Sequence, residues 1–109
     1  LGLTDDSTLG GYLDLHQRPP AFEGADGQPY SAAIYVDDTP RPDGRFGASL
    51  LFVRWDHGGD HPVGHVESED LALAPTRGEA EAAVRALSLW DVKQQLDAVL
   101  ERRRTLPEW

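Results

Sequence analysis

The chain has 109 residues, 39% of them hydrophobic and 27% charged, with no cysteine and a formal charge of -9 from ten basic against nineteen acidic side chains. That length supports one domain with a single modest core, expected over 1–109, and leaves no room for a second independent unit. Zero cysteines exclude disulfides, thiolate nucleophiles and cysteine-held zinc or iron–sulfur sites, while the acidic balance argues against nucleic acid and anionic membrane surfaces as partners, since both are bound largely through cations.

No apolar run approaches the ~20 residues that a bilayer span requires, so the expectation is a soluble product with no membrane partner, located in the cytoplasm. The sequence opens on Leu1 and holds no methionine, which implies a processed or partial chain. Lys93 is the sole lysine, and such arginine-biased usage is expected of a GC-rich bacterial genome.

Residues 1–8, with Asp5, Asp6 and Ser7, are polar and expected to fray. Leu9 to His16 then places Leu9, Leu13 and Leu15 opposite Asp14 and His16, an alternation that predicts a first strand. Gln17 to Pro29 is rich in proline and glycine, and Arg18 before Pro19-Pro20 is biased to extended geometry, so a loop of about thirteen residues is expected. A stiff proline pair presenting an aromatic loses little entropy on docking, which makes Arg18, Pro19, Pro20 and Phe22 candidate recognition residues. The plainer alternative is a connection whose Phe22 folds back as a plug on the core.

Tyr30 to Val36 predicts a second strand, with Ala32, Ile34 and Val36 facing one way and Ala33 and Tyr35 the other. The connection ending Pro42-Asp43-Gly44-Arg45 carries turn chemistry and predicts a hairpin into Phe46 to Trp55. In that third strand Phe46, Ala48, Leu50 and Phe52 form one face and Leu51, Val53 and Trp55 the other. Both faces are apolar, which predicts a central strand in a sheet covered at least partly on each side.

The segment Asp56 to His65 holds three of the four histidines. His57, His61 and His65 are spaced by four, but Gly58, Gly59, Pro62 and Gly64 make a helix there implausible, so the spacing carries no ligand geometry. The alternative functional reading is a divalent-metal site in a loop, with His57, Asp60, His61, His65 and Glu67 as imidazole and carboxylate ligands. The commoner reading of such residues is a polar turn with solvated histidines. Val63 to Leu71 predicts a fourth strand with His65, Glu67 and Glu69 on one face, a charged face suited to a solvated edge. His65 and Glu67 therefore share a side and form the one plausible acid–base pair, whereas Asp56 and His57 point apart.

Thr76 with Glu79 three residues later is a capping box that starts a helix through Ala80, Ala83, Val84 and Leu87. The next stripe, Leu89, Val92, Leu96, Val99 and Leu100, is out of phase at ~100° per residue. The helix therefore breaks at Ser88, which caps a second helix running to about Arg104. Arg102, Arg103 and Arg104 complement the negative end of its dipole. Trp90 is placed beside the stripe as boundary core or a binding residue, and Trp109 as a clamp on the sheet or a partner contact.

These elements make an α+β domain, a four-stranded antiparallel meander followed by two C-terminal helices packed on one face. No nucleophile elbow, phosphate loop or dinucleotide fingerprint is present. The expected function is that of a small, acidic, non-enzymatic domain without a cofactor that binds a protein partner, for instance as an acidic inhibitor of a basic toxin. Self-association as a homo-oligomer through a sheet edge or the second helix belongs to the same reading. A third possibility is a ligand cleft between the sheet and the proline-rich loop, lined by Tyr30, Tyr35 and Trp55.

Overall fold

The computed structural model describes residues 6–105, with side chains as far as Arg103. In chain order the elements are α1 (Leu9–His16), β1 (Ala21–Glu23), β2 (Pro29–Val36), β3 (Phe46–Trp55), β4 (Pro62–Glu67), β5 (Ala72–Ala74), α2 (Arg77–Arg85) and α3 (Leu89–Thr105). The sheet is antiparallel with the order β1-β2-β3-β4, and β5 pairs with β3 beside β4. An antiparallel α+β architecture with C-terminal helices is therefore the fold, as the sequence predicts.

The central hairpin follows from its turn. Arg41 N–H donates to the Arg45 carbonyl at 2.7 Å, and Gly44 takes φ of +86°, a backbone conformation nearly free of cost only for glycine. The register then runs from Tyr30 opposite Arg54 to Val36 opposite Ala48. β3 is paired along both edges, with β2 on one side and β4 and β5 sharing the other.

Leu9 to His16 is a helix, not the expected first strand. Thr8 Oγ1 accepts from Gly11 N–H at 3.1 Å, and Gln17, in the left-handed conformation, donates its N–H to the Leu13 carbonyl at 2.8 Å. Both helix ends are thereby satisfied. The leucines obey helical spacing: Leu9 is fully buried, Leu13 four residues on packs against the core, and Leu15 is 52% exposed. The glycine after Leu9 lets α1 lie close on α2, since a Cβ at Gly10 would stand 2.9 Å from Arg85 Cβ. Of the segment expected to fray, Ser7 and Thr8 are tied down: the Ser7 carbonyl accepts from Leu89 N–H at 2.8 Å and Thr8 forms a β-bridge with Ser88.

Two further boundaries differ from expectation. The proline-rich loop contains β1, three residues pairing with Pro29 to Ser31. The expected fourth strand, Val63 to Leu71, stops at Glu67 because Ser68 replaces the backbone partner with its side chain: Ser68 Oγ accepts from Leu50 N–H at 2.9 Å and donates to the Glu69 carbonyl at 2.8 Å. Pairing with β3 resumes at β5.

The helices stand where their caps predict. Thr76 Oγ1 accepts from Glu79 N–H at 3.1 Å, and Ser88 and Asp91 exchange backbone–side-chain bonds at 3.0 and 3.3 Å. The break at Ser88 lets Ala80 and Val84 of α2 and Val92, Leu96, Val99 and Leu100 of α3 join one core with Tyr30, Ala32, Ala48, Leu50, Phe52 and Val66 of the sheet. Trp90 is not boundary core but 70% exposed. It stands two residues before Val92, about 160° around the helix from that buried side chain. Among the described residues no helix is long and apolar enough to cross a membrane.

Candidate functional site

All three helices pack on the face of the sheet that carries Tyr30, Ala32, Leu50, Phe52 and Val66. Alternation sends the intervening residues to the opposite face, where none of the helices lies over them. Cross-strand pairs define two rows on this open face, Ser31–Val53–His65 and Ala33–Leu51–Glu67, flanked by the pairs of Tyr35 with Ser49 and Gly47 with Leu73. Trp55 Nε1 donates to Ser31 Oγ at 2.9 Å, which lays the indole across the neighbouring strand. The expectation that β3 is covered at least partly on each face is met unevenly: on this side Leu51, Val53 and Trp55 are only half-buried.

Tyr35, Leu51, Val53, Pro62, Gly64, His65 and Glu67 border a shallow groove of about 440 Å³ on this face. Of the five large apolar residues most exposed among the described residues, Tyr35 and Leu73 stand on the same side. Lysine and arginine are missing from its strand positions, where the charged residues are Glu67 and, at the far edge on β1, Glu23. Arg41, in the hairpin loop at one end, is engaged by Asp70, whose carboxylate lies over Gly47, and by Asp37 at 3.9 Å.

The turn at the other end is organised by Asp56. Its Oδ1 accepts from Asp60 N–H at 3.0 Å, and its Oδ2 lies 3.4 Å from His61 Nδ1. The backbone bond from Asp60 is the main reason that the Asp56 carboxyl is held below the usual carboxylate range. Asp43 is lowered likewise by Arg45, through its side chain first and its backbone second. On the covered face, burial first and the hydrogen bond to Asp26 second push the Tyr30 phenol up to about 12.

The five residues of the metal reading are divided between two places. His57, Asp60 and His61 belong to the exposed turn, while His65 and Glu67 stand on the open face of β4. Among the described residues no group of three histidine, aspartate or glutamate side chains is placed to hold a metal ion. The acid–base pairing of His65 with Glu67 keeps its shared face, and the turn adds the Asp56–His61 contact, which sequence reasoning missed because only the closed turn brings residues five apart together.

In the proline-rich segment Arg18 and Pro19 are exposed, Pro20 is buried, and Phe22 is half-buried opposite Tyr30, packed against the core. Trp109 lies outside the described residues. The cleft reading needed Tyr30, Tyr35 and Trp55 together, but Tyr30 lies on the covered face and the other two on the open one, so the three line no common cleft. Leu51 and Val53 were not singled out as site residues, although the apolar character of both faces of β3 was the signal for them.

No protein-family model, no curated protein and no solved structure matches the chain.

Proposed function

We propose that this protein is a non-enzymatic binding module that docks a basic protein partner on the open face of its sheet. One observation carries the reading: a half-buried apolar surface, built on Tyr35, Leu51, Val53 and Trp55, is left without a covering element and has acidic but no cationic strand residues on it. Apolar area gives such a surface its affinity, and unpaired like charges at its rim select the partner's sign. The formal charge of -9 steers encounter with cationic proteins, opposes nucleic acid, and opposes pairing of the face with its own copy. An acidic inhibitor of a basic toxin or enzyme is the concrete form this takes.

Photo-crosslinking tests it. A photoreactive residue at position 53, on the open face, is expected to capture one basic protein that the same residue at exposed position 83 on α2 does not. Excess unlabelled parent protein added before irradiation prevents that adduct from forming and folded Leu51→Glu protein does not. Equal capture from both positions, or an adduct only with a second copy of the chain, contradicts the reading.

A further inference from the structure

The open face pairs a long apolar floor with the Glu67 carboxylate, which meets no cation among the described residues. Elsewhere five cations are engaged by aspartates: Arg41 by Asp70, Arg45 by Asp43, Arg77 by Asp38, Arg85 by Asp14, and Lys93 by Asp97. Glu69, two residues beyond Glu67, has Arg102 at 3.9 Å. Glu67 alone of these neighbours stands over the groove, and among the described residues it forms no hydrogen bond or ion pair. It faces Leu51 directly across the ladder, with Ala33 beyond and Tyr35 diagonal to it on β2.

We propose that this groove is an anchor site for one arginine side chain of the partner, its stem lying across Leu51 and Val53 and its guanidinium meeting the Glu67 carboxylate. This inference rests on the open face being the docking surface and names what that surface selects. β2 and β4 are two strand spacings apart, roughly 10 Å, so a cation entering from the β2 side must bring a long apolar stem to reach Glu67. Arginine suits the site better than lysine for two reasons. Its planar fork binds a carboxylate through two parallel bonds, and a guanidinium is more weakly hydrated than an ammonium, so it loses less on lying over an apolar floor. A second copy of the chain is a poor occupant, because it brings another Glu67 and another charge of -9 to the same surface.

The test titrates the ¹⁵N-labelled chain with three synthetic heptapeptides that differ only at a central residue set between valines: arginine, its neutral isostere citrulline, or lysine. Amide shifts for the arginine peptide are expected to centre on residues 51–53 and 64–67. Its affinity is expected to fall about tenfold on Glu67→Gln or on exchange for citrulline, the order of one charge-assisted hydrogen bond. Glu79→Gln, remote on α2, should leave it unchanged, and the lysine peptide should bind at least threefold more weakly, by roughly the margin of a lost bidentate contact.

Equal affinity for the citrulline peptide, or for Glu67→Gln protein, overturns the anchor while leaving apolar docking on the face intact. Equal affinity for lysine overturns the choice of arginine. Shifts confined to other surfaces overturn the anchor outright, and the fate of the wider docking reading is then decided by the crosslinks from position 53.

Discussion

The two faces of one strand teach more than any single residue here. Leu50 and Phe52 are wholly excluded from water under α2 and α3, while Leu51 and Val53, their immediate neighbours in sequence and nearly their equals in hydrophobicity, are half-buried on the side that no helix covers. The chain thus places apolar side chains on both faces and lays its helices over only one. An exposed apolar face of this kind is the surface that we propose for binding.

The sharpest way to break this comparison is truncation at adjacent positions. Phe52→Ala is expected to lose about 3–5 kcal/mol of stability, a transfer term plus a cavity, whereas Val53→Ala loses about 1 kcal/mol. Equilibrium urea unfolding of both variants reads the difference. Similar losses at the two positions would mean that both faces are packed.

Titration sharpens it from the covered side. Tyr30 is an acid whose proton the folded chain retains up to about 12, above its ordinary value of 10.0. Its contribution is therefore fully present below pH 10 and is lost as pH rises through about 12. Tyr30→Phe removes the 2.8 Å bond to Asp26, costs about 1 kcal/mol at neutral pH, and flattens the alkaline fall in stability.

The open-face rim responds at the other end of the pH scale, and more weakly. Asp56 has a depressed folded-state value, so its contribution is present above the ordinary carboxylate range and is lost as pH falls through the lowered one. Asp56→Asn should remove that part of the acid dependence and loosen the turn that closes β3 on β4. Thermal unfolding between pH 5 and 2 checks it; an unchanged acid slope would leave Asp56 without the role that its bonds assign.

Much of the fold was legible because its signals are local. The Pro42-Asp43-Gly44 turn, the Thr76 and Ser88 caps, and the phase jump between Leu87 and Leu89 each act within a few residues, and each predicts what the structure contains. α1 was misread because three leucines in eight residues fit an alternating pattern, and the decisive evidence, the Thr8 cap and the left-handed Gln17, lies at the margins of the run. β1 escaped because a three-residue strand exists only through its pairing with β2. The candidate site was half legible. Alternation placed His65 with Glu67 and Tyr35 apart from Ile34, but an apolar face reads the same whether the chain or a partner covers it. Tyr30 and Tyr35 look alike in sequence and lie on opposite faces, and the placement of Trp90 as core failed by a rotation of the helix.

Docking requires the open face to be free in the isolated chain, and hydroxyl-radical footprinting of the monomer reads that directly. Side chains Tyr35, Leu51, Val53 and Trp55 are expected to be modified under native conditions, while Leu50 and Phe52 are labelled only on unfolding. Protection of Leu51 and Val53 equal to that of Leu50 and Phe52 would mean that the face is already covered, and would contradict it.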